Sequence, residues 1–158
     1  MMRLRRHDAH RGQTLVEFAL ILPIFILLLM GLFDMGRAVY AFNTISNAAR
    51  EAVRVGIVNQ DCGTIGAEAD ARAASVDVTW NADPLDPCTD LEGEIAINFL
   101  DASLDGTECN VPVPLGCYAE VTVAYDFTAS TPIIGNLVGT IHMEATTRQG
   151  VEFTNPDP

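Results

Sequence analysis

The residues of this chain best suited to chemistry are four cysteines, Cys62, Cys88, Cys109 and Cys117. Thiols can ligate zinc, act as nucleophiles or pair as disulfides. No two of these have CxxC spacing, and no histidine lies near enough in sequence to complete a familiar zinc set. An even number suits two disulfides in an oxidising compartment, with three connectivities open. Pairing Cys62 with Cys88 and Cys109 with Cys117 is favoured, because each bond closes a turn-rich loop. Such a cross-link typically adds about 2–4 kcal/mol. Asp83, Asp86, Asp90, Glu92 and Glu94 gather carboxylates that could coordinate calcium. Their spacing departs from the DxDxDG loop, and Pro84 and Pro87 restrict the backbone, so a solvated acidic loop is the better reading. His142 alternates with Ile141 and Met143, which puts it on the solvent side of a strand. No serine or cysteine sits in a nucleophile motif, and no glycine-rich phosphate loop is present. No catalytic residue, cofactor-binding residue or metal ligand is therefore expected, and the chain reads as a non-enzyme.

The element that dominates the chain is the apolar run Leu15–Phe33, LVEFALILPIFILLLMGLF. A membrane-spanning helix needs about 20 such residues. A secretory signal has an apolar region of about 7–15 residues ending at a small-x-small site. This run is longer, and the DMGRAVYAFN that follows has no convincing site of that kind. Two residues inside it are unusual. Glu17 places a carboxylate near the start, where an ionisable group costs less than at the bilayer centre, about 3 kcal/mol there on insertion scales. Pro23 removes a helical hydrogen bond and is expected to kink the helix, which membrane helices tolerate.

Charge is distributed to match. All nine basic residues are arginines, and Arg3, Arg5, Arg6 and Arg11 precede residue 13, against one acid, Asp8. With a net charge of -12, the stub carries +3 and everything after it -15. An arginine-rich flank stays cytoplasmic, which predicts an N-in, C-out topology. The acidic remainder disfavours a nucleic-acid partner and suits a soluble exported domain.

Beyond Asp34 the helix is expected to continue for a total of about 40 residues. Met35, Ala38, Phe42, Ile45, Ala49 and Ala52 recur at three-and-four spacing, marking one face of an amphipathic helix. That stripe could pack on the chain's own domain, on neighbouring subunits, or on both. Gly56 and Asn59-Gln60-Asp61 supply a stop. The chain thus divides into a cytoplasmic basic leader (1–12), a transmembrane and amphipathic helix (13–57) and an extracytoplasmic α+β domain (58–158).

Gly12-Gln-Thr-Leu-Val-Glu17-Phe, a glycine after a basic stub with a glutamate five residues on, resembles the processing site of type IV pilins and pseudopilins. The resemblance implies cleavage by a prepilin peptidase between Gly12 and Gln13, leaving Glu17 at the fifth mature position to pair with a neighbouring subunit's new N-terminal amine. Gln13 stands where the common type IV pattern has Phe, so N-methylation is not implied. Within that class the blocks RGQ-x-LVEFAL, Pro23, DMGRAVY and NAAREA-x-R, spanning residues 11–56, resemble the TadE-like family of tight-adherence (Flp) pilus pseudopilins. The family implies a minor pseudopilin acting in pilus assembly or priming for adhesion. Its partners would be the prepilin peptidase, other pseudopilins, the major pilin, the platform proteins and membrane lipid. A different class stays open: an unprocessed single-pass anchor carrying a ligand-binding or enzymatic exported domain.

The remaining two-thirds is a small mixed region. Thr64–Ala74 is alanine-rich and predicted helical. Val76–Trp80, Ile95–Phe99 and Val121–Phe127 alternate as strands, and Ile141–Thr147 does so more weakly. Strands without intervening helices predict an antiparallel sheet packed on the long helix, a pilin-like α+β fold.

Overall fold

The computed structural model describes residues 10–84, 86, 88–101, 107–109, 113–131, 135–136 and 138–152, with side chains from residue 12 onward. The first nine residues, which hold most of the basic leader, lie outside them.

Helix α1 runs unbroken from His10 to Gly56, 47 residues and about 70 Å at 1.5 Å per residue. It passes through Pro23 without interruption. From Gly12 to Phe33 every residue is exposed except Gly31, which is half-buried. This stretch is apolar and long enough to cross a membrane. None of it is buried against the rest of the protein, which separates it from a soluble protein's core helix.

After Asp34 one face of α1 turns inward. Asp34, Ala41, Ile45, Ala48, Ala49, Ala52 and Val53 are buried. Met35 and Phe42, expected on that face, are instead 67% and 48% exposed. The helix has apolar residues around much of its circumference, and the buried face is rotated by about one residue so that Asp34 and Ala41 point inward. Alanines at the contact let helix and sheet backbones approach closely.

The chain leaves α1 at Gly56 and starts α2 (Cys62–Ala73) six residues later. Asp61 caps α2: its carboxylate accepts from the Thr64 N–H at 3.0 Å and from the Thr64 hydroxyl. The Thr64 hydroxyl, then the Thr64 N–H, holds the Asp61 carboxyl below the ordinary range. Gly66 sits under Trp80, where any Cβ would come within 2.2 Å of the indole.

Val76–Trp80, predicted as a strand, is not one. A 3-10 turn (Ala74–Val76) ends in Asp77 at φ 63°, a left-handed conformation that turns the chain and breaks the alternation. The N–H groups that follow are bound by carboxylates in place of a strand partner: Thr79 by Glu94 at 2.8 Å and Asn81 by Asp90 at 3.0 Å.

Three antiparallel strands form the sheet in the order β1 (Ile95–Leu100), β2 (Tyr118–Thr128), β3 (Thr140–Gly150). The register sets Val121 opposite both Ile97 and Thr147. Alternation sends Ile95, Ile97, Phe99, Ala119, Val121 and Val123 toward α1 and α2, where they meet Ile45, Val53, Ile65 and Ala69 in one core. On the outer face, directly opposed residues of β2 and β3 pair: Glu120 with Arg148, Thr122 with Thr146 at 2.8 Å, and Asp126 with His142 at 2.7 Å. The fold is α+β, a long N-terminal helix over a small antiparallel sheet.

Candidate functional site

The expected processing segment lies at the start of α1. Gly12, Gln13 and Glu17 are exposed, and a Cβ at Gly12 would meet nothing within 4 Å. Glu17 makes no hydrogen bond or ion pair among the described residues. A carboxylate without a partner on an otherwise apolar helix is costly in lipid, and no described residue of this chain supplies one.

Where the apolar run ends, a polar clasp joins the helix to the loop after β2. The buried Asp34 carboxylate accepts from the backbone N–H groups of Ser130 and Thr131, each at 3.0 Å, and from the Thr131 hydroxyl. Arg37, one turn on, reaches Asp34 at 3.5 Å, donates to the Ser130 hydroxyl and lies 5.6 Å from the centroid of the Phe127 ring. Three donors and a guanidinium around one carboxylate satisfy a charge that burial would otherwise make costly. The clasp fixes the rotation of α1 relative to the sheet at the level where the run Leu15–Phe33 ends.

This clasp was not read from the sequence, where Asp34 and Arg37 appeared only as members of the DMGRAVY block. A usable signal existed. An acid at the end of an apolar helix, an arginine at i+3 and a distant Ser-Thr turn form a plausible acceptor-and-donor set.

The NAAREA-x-R block divides by face. Ala48, Ala49, Ala52 and Val53 are buried in the core. Asn47, Arg50, Glu51 and Arg54 turn outward and, with Arg72 of α2 and Thr147 and Gln149 of β3, line an open groove of about 560 Å³. A second exposed strip, Leu29, Leu32, Phe33, Gly36 and Tyr40, continues the apolar surface past the end of the run.

The cysteines bond as Cys62–Cys88 and Cys109–Cys117. The first ties the start of α2 to the acidic loop, and the second ties the loop before β2 to itself. The acidic loop is a set of local acceptors. Asp90, buried, accepts from the N–H groups of Asn81, Glu94 and Ile95, and Asp86 accepts from Cys88 N–H and the Thr89 hydroxyl. Carboxylates turned toward backbone donors in this way do not converge on a common ion. Among the described residues no group of three His, Cys, Asp or Glu side chains is arranged to hold a metal. His142 is exposed on the outer sheet face, where Asp126 is its partner.

Comparison with known proteins gives one match, a family model described as TadE-like protein, over residues 12–54. No curated protein and no solved structure matches the chain. The matched segment begins at Gly12 and takes in Glu17, Pro23, the Asp34 and Arg37 side of the clasp and the whole NAAREA-x-R block. Residues 12–54, within the helix that carries these features, match the model of the family that the sequence motifs resemble.

Proposed function

We propose that this protein is a minor pseudopilin of a tight-adherence (Flp) pilus. In this reading it is held in the inner membrane by Leu15–Phe33, with the basic leader in the cytoplasm and the α+β domain outside. A prepilin peptidase trims it between Gly12 and Gln13, and it acts in pilus assembly or priming for surface adhesion. The TadE-like match associates the chain with pilus assembly, a structural system and not a known enzyme family. The observation that carries the finer reading is Glu17, five positions after Gly12, which has no partner among the described residues and lies on the exposed apolar run of α1. Cleavage creates a new amine at residue 13, and the Glu17 carboxylate of one subunit then has a counter-charge on the next. Exposed Met35, Val39 and Phe42, beyond the apolar run, add a surface for neighbouring helices.

Glu17→Ala tests this reading at the pairing step. The variant is expected to insert in the membrane like the wild type and to lose co-purification with the major pilin and the other pseudopilins. Retained co-purification would reduce Glu17 to an interfacial bystander. The rival reading, an uncleaved anchor bearing a ligand-binding or enzymatic domain, predicts no dependence on Glu17 or on the peptidase.

A further inference from the structure

We propose that the arginine groove between α1, α2 and β3 is a docking surface for the acidic surface of a second copy of this chain. Residues 13–158 hold 20 acids and five arginines. Three of those five, Arg50, Arg54 and Arg72, line this one groove. They gather there on a chain that otherwise carries mostly acids and so repels its own kind.

The three guanidinium groups are available to differing degrees. Arg54 reaches Glu51 at 3.1 Å and Arg72 reaches Glu68 at 2.8 Å, both along their own helices and both with more than half of the arginine side chain exposed. Each guanidinium has five N–H donors, so these contacts leave donors over. Arg50 is exposed and makes no ion pair among the described residues. The alanines and valine of the same helical block make the core contact, so Arg50 has no packing duty that explains its place on the rim.

Anionic lipid does not suit the position. Arg50 lies 17 residues beyond Phe33 on a continuous helix, about 25 Å along its axis. The headgroup zone is only about 5–8 Å deep on each side of the hydrocarbon core. A nucleic acid would meet the -15 field of the surrounding domain before reaching the groove. A carboxylate-rich surface of another copy has the required charge, and arginine forks suit carboxylates geometrically. Groove and acidic surface are different patches, so the contact is heterologous and leaves each copy with a free groove or a free acidic face. Such a contact builds a closed ring or a head-to-tail chain, as its rotation dictates. The inference does not depend on processing at Gly12, since it concerns only the outer domain and the uncleaved chain can test it.

The test is sedimentation of the full-length chain in detergent micelles. Association is expected to weaken by about tenfold or more when salt rises from about 50 to about 500 mM, as the screening length falls from about 14 to about 4 Å. Arg50→Glu should weaken it to a similar extent at low salt, Arg72→Gln should act in the same direction, and Arg50→Lys, which keeps the charge but loses the fork, should retain only part of it. Because Arg50 is exposed and unpaired, Arg50→Glu is expected to keep both disulfides and the far-ultraviolet dichroism of the wild type. Association that is insensitive to both salt and Arg50→Glu would mean that the transmembrane helices carry it, and the proposal would be overturned. A wild-type chain that stays monomeric at low salt would overturn it equally.

Discussion

Removing the Asp34 carboxylate should release the loop after β2 from the long helix without unfolding the domain. In Asp34→Ala the Thr131 N–H and hydroxyl, in a residue only 4% exposed, lose their acceptor, while the Ser130 N–H is near enough to solvent to find water. A buried donor left unmade costs about 1–3 kcal/mol, and a hydrogen bond to a charged group is worth about 1.5–3 kcal/mol. The Arg37 contact is half-exposed and adds little. The loss is then about 2–3 kcal/mol, smaller than the total of about 5–15 kcal/mol typical of a domain, so opening is local. Hydrogen exchange of the full chain in nanodiscs reads this directly: protection of the Ser130 and Thr131 amides should fall by about 30- to 150-fold, at about 1.4 kcal/mol per factor of ten. Core amides such as Val121 and Val123 should change far less. Thr131→Val removes only the hydroxyl bond and should cost about 1.5 kcal/mol, the low end of that range, because Asp34 keeps both backbone donors. Asp34→Asn should resemble the alanine variant more than the wild type, because its NH2 group would face a donor. Unchanged protection at Ser130 and Thr131 in Asp34→Ala would refute the reasoning and show that the loop is held by its own turn.

Three further outcomes follow from the packing and capping. Gly66→Ala should cost about 1–3 kcal/mol by overpacking against Trp80, and a red shift in the emission of this single tryptophan would report the displaced ring. Replacing Cys62 and Cys88 by serine should lower stability by about 3 kcal/mol for a closure of 26 residues, read as a lower denaturation midpoint that reducing agent does not lower further at that bond. Asp61 has its carboxyl lowered by Thr64 in the folded state, so its contribution is fully present above the unfolded carboxylate range and is lost as pH falls through the folded value. Asp61→Asn should flatten that part of the acid limb, and an unaltered acid limb would show that the cap does not titrate with folding.

Much of the fold was legible because local signals agreed with tertiary demand. The apolar run, the NAAREA-x-R block and the alternation in Ile95–Phe99 and Val121–Phe127 each fit one structure only. Of three open cysteine connectivities, the one favoured for closing two turn-rich loops is the one that the structure bonds. The failures share a cause. Periodicity identified an amphipathic helix but could not choose between faces that were both apolar. Asp34, an acid at the membrane end, fixes the choice through Ser130 and Thr131, partners some 96 residues away. The alternation in Val76–Trp80 looked like a strand until a left-handed Asp77 and two carboxylates took its hydrogen bonds. Likewise, the groove joins Arg50 and Arg54 to Arg72 and Gln149, a neighbourhood that only the docking of α2 and β3 creates.

The central claim is that Gly12 marks a cleavage site, and the most direct measurement is the intact mass of the protein co-expressed with an active prepilin peptidase. Loss of residues 1–12, leaving Gln13 as the new N-terminus, and its prevention by Gly12→Ala are the predicted results. An unchanged mass in the presence of a peptidase that processes a control pilin would contradict the account and favour an uncleaved membrane anchor.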